Sequence, residues 1–219
     1  MLQLIPEWAH HYGEFWRAIR VRNLWLIKSR YFAGLMLIGF LVFGETILDF
    51  NLTNTQIRAI IIIVISIFLY NVIIHSGRKY AGTDPNKFNC LHLSLIQIVL
   101  DLISLMVLVY YTGVMESPLY MFFIFHMIIG SLILPGFIVY INAGIVSISF
   151  SIIAMLQHFG IVENHFIHGL YTSSRPHTLT YDILFVIVFT LMLEFPTLPL
   201  LMKSMLNMPL HWGMGLLAV

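Results

Sequence analysis

From Ser117 to Val162 the chain runs 46 residues without an Asp, Glu, Lys or Arg. Drawn out as one α-helix that stretch would be roughly 69 Å long, about twice the hydrocarbon thickness of a bilayer. It must fold back on itself. Pro135-Gly136 is the natural point of reversal, because proline has no amide to donate and glycine tolerates the backbone of a tight turn.

The rest of the chain has the same character. Of 219 residues, 59% are hydrophobic and 10% charged, and the mean hydropathy is +0.91. An ordinary soluble domain carries roughly 25% charged residues, so that class is excluded. The unit to count is the span of about 20 apolar residues. Six such stretches are present: Tyr31 to Leu48, Ala59 to Ser76, Leu91 to Tyr111, Pro118 to Leu134, Phe137 to Gln157, and Ile183 to Met202. Membrane strands would alternate apolar and polar residues, whereas Ile60 to Phe68 is apolar everywhere except Ser66, so the spans are helices. The expected fold is an all-α, polytopic membrane protein with six transmembrane helices.

Charge placement orients it. The net charge of +1 exerts no pull toward nucleic acid, but the eleven Lys and Arg are lopsided. Nine would lie on one side: Arg17, Arg20, Arg22, Lys28, Arg30, Arg78, Lys79, Lys87 and Lys203. Arg58 and Arg175 alone would lie on the other, which by the positive-inside bias puts both termini in the cytoplasm. Residues 1–30 lack the apolar core and small-residue site of a cleaved signal peptide. Their mixture of cations with Phe15, Trp16, Ile19, Leu24 and Trp25 reads either as an interfacial segment beside anionic lipid or as a simple anchor. Residues 31–202 form the six-helix domain, and 203–219 a short tail.

Asp101 falls at the middle of the third span, where a carboxylate costs about 2.5–3.5 kcal/mol unless paired, solvated or protonated. Ser94, Gln97, Asp101 and Ser104 are three, four and three residues apart, so they share a helical face that should turn inward. That face is either a ligand or proton site or interhelical hydrogen-bonding glue. His126, midway along the fourth span, lies at matching depth: both residues sit roughly 13–17 Å from the connection Thr112 to Ser117. The two could share a proton, with Tyr120, Phe122, Phe123 and Phe125 offering rings for a flat ligand to stack on. Alternatively His126 is a core histidine bonded to a backbone carbonyl. In the last long connection, His165 and His168 are three apart and could aim at one zinc or copper ion, although no third ligand is evident and no metal site is assigned. The single Cys90 excludes an internal disulfide. No zinc-protease HExxH, serine elbow, phosphate loop or dinucleotide fingerprint occurs, so no residue is assigned a catalytic role.

The segment from Gln97 through Asp101 and Thr112-Gly113-Val114-Met115-Glu116-Ser117-Pro118-Leu119 to Phe125-His126-Met127-Ile128-Ile129 resembles the six-helix membrane input region of bacterial sensor histidine kinases. There the third helix often reads Q-x-x-x-D, the outer loop T-G-G-x-x-[SN]-P-[FL], and the next helix F-H-M-I-I. Gln157-His158-Phe159-Gly160-Ile161 is similar to the family's E-[YH]-x-G-I, with Gln157 for the glutamate. The resemblance covers roughly residues 20 to 195. It implies a signal-input module of the bacterial inner membrane, a homodimer, and a quinone or lipid ligand near Thr112, Gly113, Glu116, Ser117 and Pro118, with Gln97, Asp101 and His126 as further sensing candidates. Val114 replaces the loop's second glycine, and Ser117 and Leu119 stand where the quinone-sensing form has asparagine and phenylalanine. A kinase would continue after the sixth span into a phospho-accepting coiled helix and an ATP-binding domain. The 17 residues after Met202 hold neither, so a truncated, frame-shifted or naturally short form is expected. The alternative from another class is a small transporter or proton-conducting protein using Asp101 and His126.

Overall fold

The computed structural model describes residues 13–82, 88–165, 167 and 178–206. Within them the chain is all-helical: α1 (Gly13–Thr46), α2 (Asn54–Gly77), α3 (Cys90–Tyr111), α4 (Phe122–Ser131), α5 (Gly136–His158) and α6 (Leu179–Leu206). A 3-10 turn, Pro118–Met121, leads into α4. Five of these helices are long and apolar enough to cross a membrane, which makes this a multi-pass membrane protein. Side chains that would be hidden in a soluble protein point outward instead: Phe32 is 67% exposed, Ile62 63% and Phe195 76%. Lipid tails are the solvent these faces suit.

The fourth expected span differs. Pro118 to Leu134 contains only the 3-10 turn and a ten-residue helix. Pro118–Ser131 is a short apolar helix, about 21 Å at helical rise, against roughly 30 Å of hydrocarbon. Length of apolar sequence did not translate into length of helix because both ends are consumed by turns. Ser117 accepts the Leu119 amide at 3.3 Å and starts the 3-10 turn. At the far end the Leu134 amide returns to the Gly130 carbonyl at 2.8 Å, ahead of Pro135, the N-cap of α5. The reversal at Pro135-Gly136 is therefore where the sequence requires it.

Caps set the other boundaries. Thr53 and Gln56 form a capping box at the start of α2, with the Gln56 amide donating to the Thr53 hydroxyl at 3.3 Å and Gln56 Oε1 accepting the Thr53 amide at 2.9 Å. Asn89 Oδ1 accepts the amides of Leu91 and His92 at 3.0 and 3.2 Å and opens α3. The helices are antiparallel neighbours in chain order, and α3 touches α1, α2, α4 and α5. The core runs along that helix through Leu102, Leu105 and Val109 into Phe123, Val139 and Phe150. Phe150 stacks on Phe189 with centroids 4.2 Å apart, the tightest ring contact across the close α5–α6 pair.

The first helix joins what the sequence divided. α1 is continuous across residues 30 and 31, and at 34 residues is about 51 Å long. Trp16 and Ile19 are buried against other helices, in the cluster containing Cys90 and Leu91. Arg17, Arg20, Arg22 and Lys28 are exposed, and Arg22 reaches the Leu132 carbonyl in the turn before Pro135.

Candidate functional site

The polar face of α3 does turn inward. Ser94 and Gln97 are completely buried, and the Asp101 side chain is 10% exposed. Its partner is Arg30, on α1. Arg30 Nε donates to both Asp101 oxygens at 2.7 and 2.9 Å, and Nη2 donates to Oδ2 at 2.8 Å. Tyr70 on α2 donates its hydroxyl to Asp101 Oδ1 at 2.7 Å, and Ser104 stands beside that hydroxyl. The remaining Arg30 nitrogen, Nη1, donates to Gln97 Oε1 at 2.8 Å and to Asn71 Oδ1 at 3.4 Å. Asn71 in turn donates to the Ile27 carbonyl at 2.9 Å. One turn below, Ser94 donates to Asn23 at 2.7 Å, and Asn23 to the Cys90 carbonyl at 3.1 Å. A guanidinium with five donors and a carboxylate with about four acceptor sites thus satisfy one another across three helices.

Asp101 and His126 are not a pair. His126 Nδ1 lies 2.8 Å from the Phe122 carbonyl of its own helix, and the side chain is partly exposed. Matching depth put both residues at one level, but α3 and α4 turn them in different directions. Of the four rings near His126, Phe123 is fully buried against Phe189 and Tyr120 meets Phe185 edge-on at 5.2 Å, whereas Phe122 and Phe125 are exposed. Arg30, Tyr70 and Asn71 were missed by sequence reasoning. The signal was there, since a lone carboxylate mid-span demands a cation, and Asn23 and Arg30 are seven residues, two helical turns, apart.

The connection after α3 is built with care. Thr112 donates to the Leu108 carbonyl at 2.8 Å, and its hydroxyl lies 2.6 Å from that of Ser117, with both residues buried. Gly113 has φ +108°, a conformation that favours glycine, and Val114 follows at +46°. Glu116 is half-buried in the same turn, and Pro118 is exposed at its exit. Against this turn lies a cavity of about 190 Å³, lined by Gly113, Met115, Ala154, Gln157, His158, Asn164 and Asp182. Its floor is the contact between His158 Nδ1 and Asp182 Oδ2, 2.6 Å, which ties the end of α5 to the start of α6. Two amides, an imidazole and a carboxylate around one space suit a small ligand bearing carbonyl or hydroxyl groups.

Comparison with known protein families, curated proteins and solved structures finds no match for this chain.

At the same end of the bundle, Gln56 donates from Nε2 to the carbonyls of Tyr111 and His165, both at 3.1 Å. The His165 ring stacks on Tyr111 at 5.1 Å and meets Tyr110 edge-on at 5.2 Å. His168 lies outside the described residues, and among those described no three His, Cys, Asp or Glu side chains converge on a metal position.

Proposed function

We propose that this chain is a membrane-embedded signal-input module related to those of two-component sensor histidine kinases, without catalytic activity of its own. The observation that carries the reading is the polar cavity, where the Gly113 turn meets the tied ends of α5 and α6. A ligand seated there touches three elements at once, and one of them, α6, runs the full depth of the bundle toward the C-terminus. Binding energy can thus be spent on the position of α6, which is what an input module must move. The ligand class that the resemblance implies is a quinone or another membrane-soluble molecule presenting carbonyl groups, and the expected assembly is a homodimer.

In this reading the protein sits in the bacterial inner membrane with six passages, the short α4 being the fourth, and with both termini cytoplasmic. Arg30 is inside the bundle and leaves the charge count, so eight Lys and Arg flank one side against Arg58 and Arg175 on the other. Alkaline phosphatase fused near Glu116 should be active and near Lys79 inactive, and the reverse would overturn the orientation. For the ligand, a short-chain quinone titrated into the purified protein in nanodiscs should quench tryptophan fluorescence saturably. Met115→Trp, which fills the cavity, should abolish saturation, whereas His126→Gln should leave it intact. Quenching that survives in Met115→Trp would remove the cavity from the reading.

A further inference from the structure

A second acid lies within the membrane-crossing part of α6. Glu194 falls in Leu179–Pro199, and its Oε1 rests 3.5 Å from where a Cβ on Gly144 of α5 would stand. A hydrogen at that position lets the carboxyl lie against the α5 backbone. Oε2 is enclosed and has no hydrogen-bond partner among the described residues.

Asp101 finds a cation, whereas among the described residues Glu194 forms no ion pair. α6 packs on α5 and α4, and neither helix carries a Lys or Arg, since both fall inside the uncharged stretch from Ser117 to Val162. The titratable groups these two helices do carry are His126 on α4, bonded to the Phe122 carbonyl, and Tyr140 and His158 on α5. Tyr140 is one turn from Gly144 on the same face of α5, and a phenol supplies no positive charge. His158 is held by Asp182, and Asp182 lies twelve residues, about 18 Å, along α6 from Glu194. Tyr181 is next to it, and Lys203 is nine residues away in the other direction, about 13 Å along the axis.

The backbone around Glu194 supplies acceptors where a carboxylate would need donors. Pro196 and Pro199 lie inside α6 and have no amide hydrogen, so the carbonyls of Met192 and Phe195 lose their helical partners. The Thr197 hydroxyl goes to the two carbonyls between them, at 2.9 Å from Glu194 and 3.4 Å from Leu193. Among the described residues an ionised carboxylate here would have no charge partner and its Oε2 no donor, whereas a carboxylic acid has a hydrogen to offer.

We propose that Glu194 is a proton-binding site at the α5–α6 interface, occupied as a neutral carboxylic acid against Gly144. Loss of the proton puts a bare charge between two closely packed helices, so occupancy biases how α6 sits on α5. This inference stands apart from the sensor reading and uses none of the cavity residues.

The full-length protein in detergent is treated with dicyclohexylcarbodiimide, which attacks protonated carboxyls in apolar surroundings, and the adducts are mapped by peptide mass spectrometry. Glu194 should be labelled several-fold more than Asp101, equally in sodium and choline chloride, and an infrared band of a protonated carboxyl should vanish in Glu194→Gln. Protection by sodium would overturn the proposal in favour of a metal cation. Absence of both the adduct and the infrared band would overturn it outright.

Discussion

Cutting the link between Arg30 and Asp101 tests the central feature of the bundle. The pair is held by three charge-assisted hydrogen bonds of 2.7–2.9 Å between side chains 6% and 10% exposed. Removing one member of a buried pair costs about 3–5 kcal/mol, because the survivor keeps its desolvation without its partner, whereas replacing both with apolar groups is often close to neutral. Arg30→Met leaves Asp101 with only the Tyr70 hydroxyl, and Asp101→Leu leaves Arg30 with the two amide oxygens of Gln97 and Asn71. Each single change should therefore destabilise by about 3–5 kcal/mol, and the double change by clearly less than their sum of about 6–10 kcal/mol, giving a coupling of at least about 2–3 kcal/mol. Reversible unfolding in mixed micelles, followed by tryptophan fluorescence, measures all four corners of the cycle. A parallel cycle of Asp101→Leu with His126→Gln should be additive to within about 0.5 kcal/mol, since the two residues share no partner. Additivity in the first cycle, or coupling above 1 kcal/mol in the second, would refute the assignment of partners.

Gln56→Ala removes the capping box and two hydrogen bonds to the Tyr111 and His165 carbonyls, and should cost about 1–3 kcal/mol by the same unfolding assay; a neutral result would mean that the α2 cap is not what ties α2 to the α3 end. Gly113→Ala forces a side chain into φ +108° and should cost about 1–3 kcal/mol. It should also weaken quinone binding, whereas unchanged stability would show the turn to be relaxed. Phe150→Ala empties the stack with Phe189 and should cost about 3–5 kcal/mol, while Phe195→Ala, at a residue 76% exposed, should change stability little in lipid nanodiscs. Equal costs at the two positions would contradict the division of α6 into a packed and a lipid-facing side.

Hydropathy and local chemistry determined a great deal without any tertiary information. A membrane leaves only helices and closed barrels in which every backbone polar group is satisfied, and the missing period-two alternation removes the barrel, so composition and pattern together decide class. The same locality gave the reversal at Pro135-Gly136 and the shared face of Ser94, Gln97 and Asp101, which depend only on the proline ring and the 3.6-residue period. Which partner meets that face depends on quantities that sequence distance does not encode: which helices adjoin and how each is rotated about its axis. Residue counting placed Asp101 and His126 at one depth but was blind to azimuth, so it paired residues that face apart and left Arg30, 71 positions away, outside the membrane. The cavity beneath Gly113 and the seating of Glu194 on Gly144 were likewise decided by packing, because each arises where separate helices meet and neither has a periodic signature of its own.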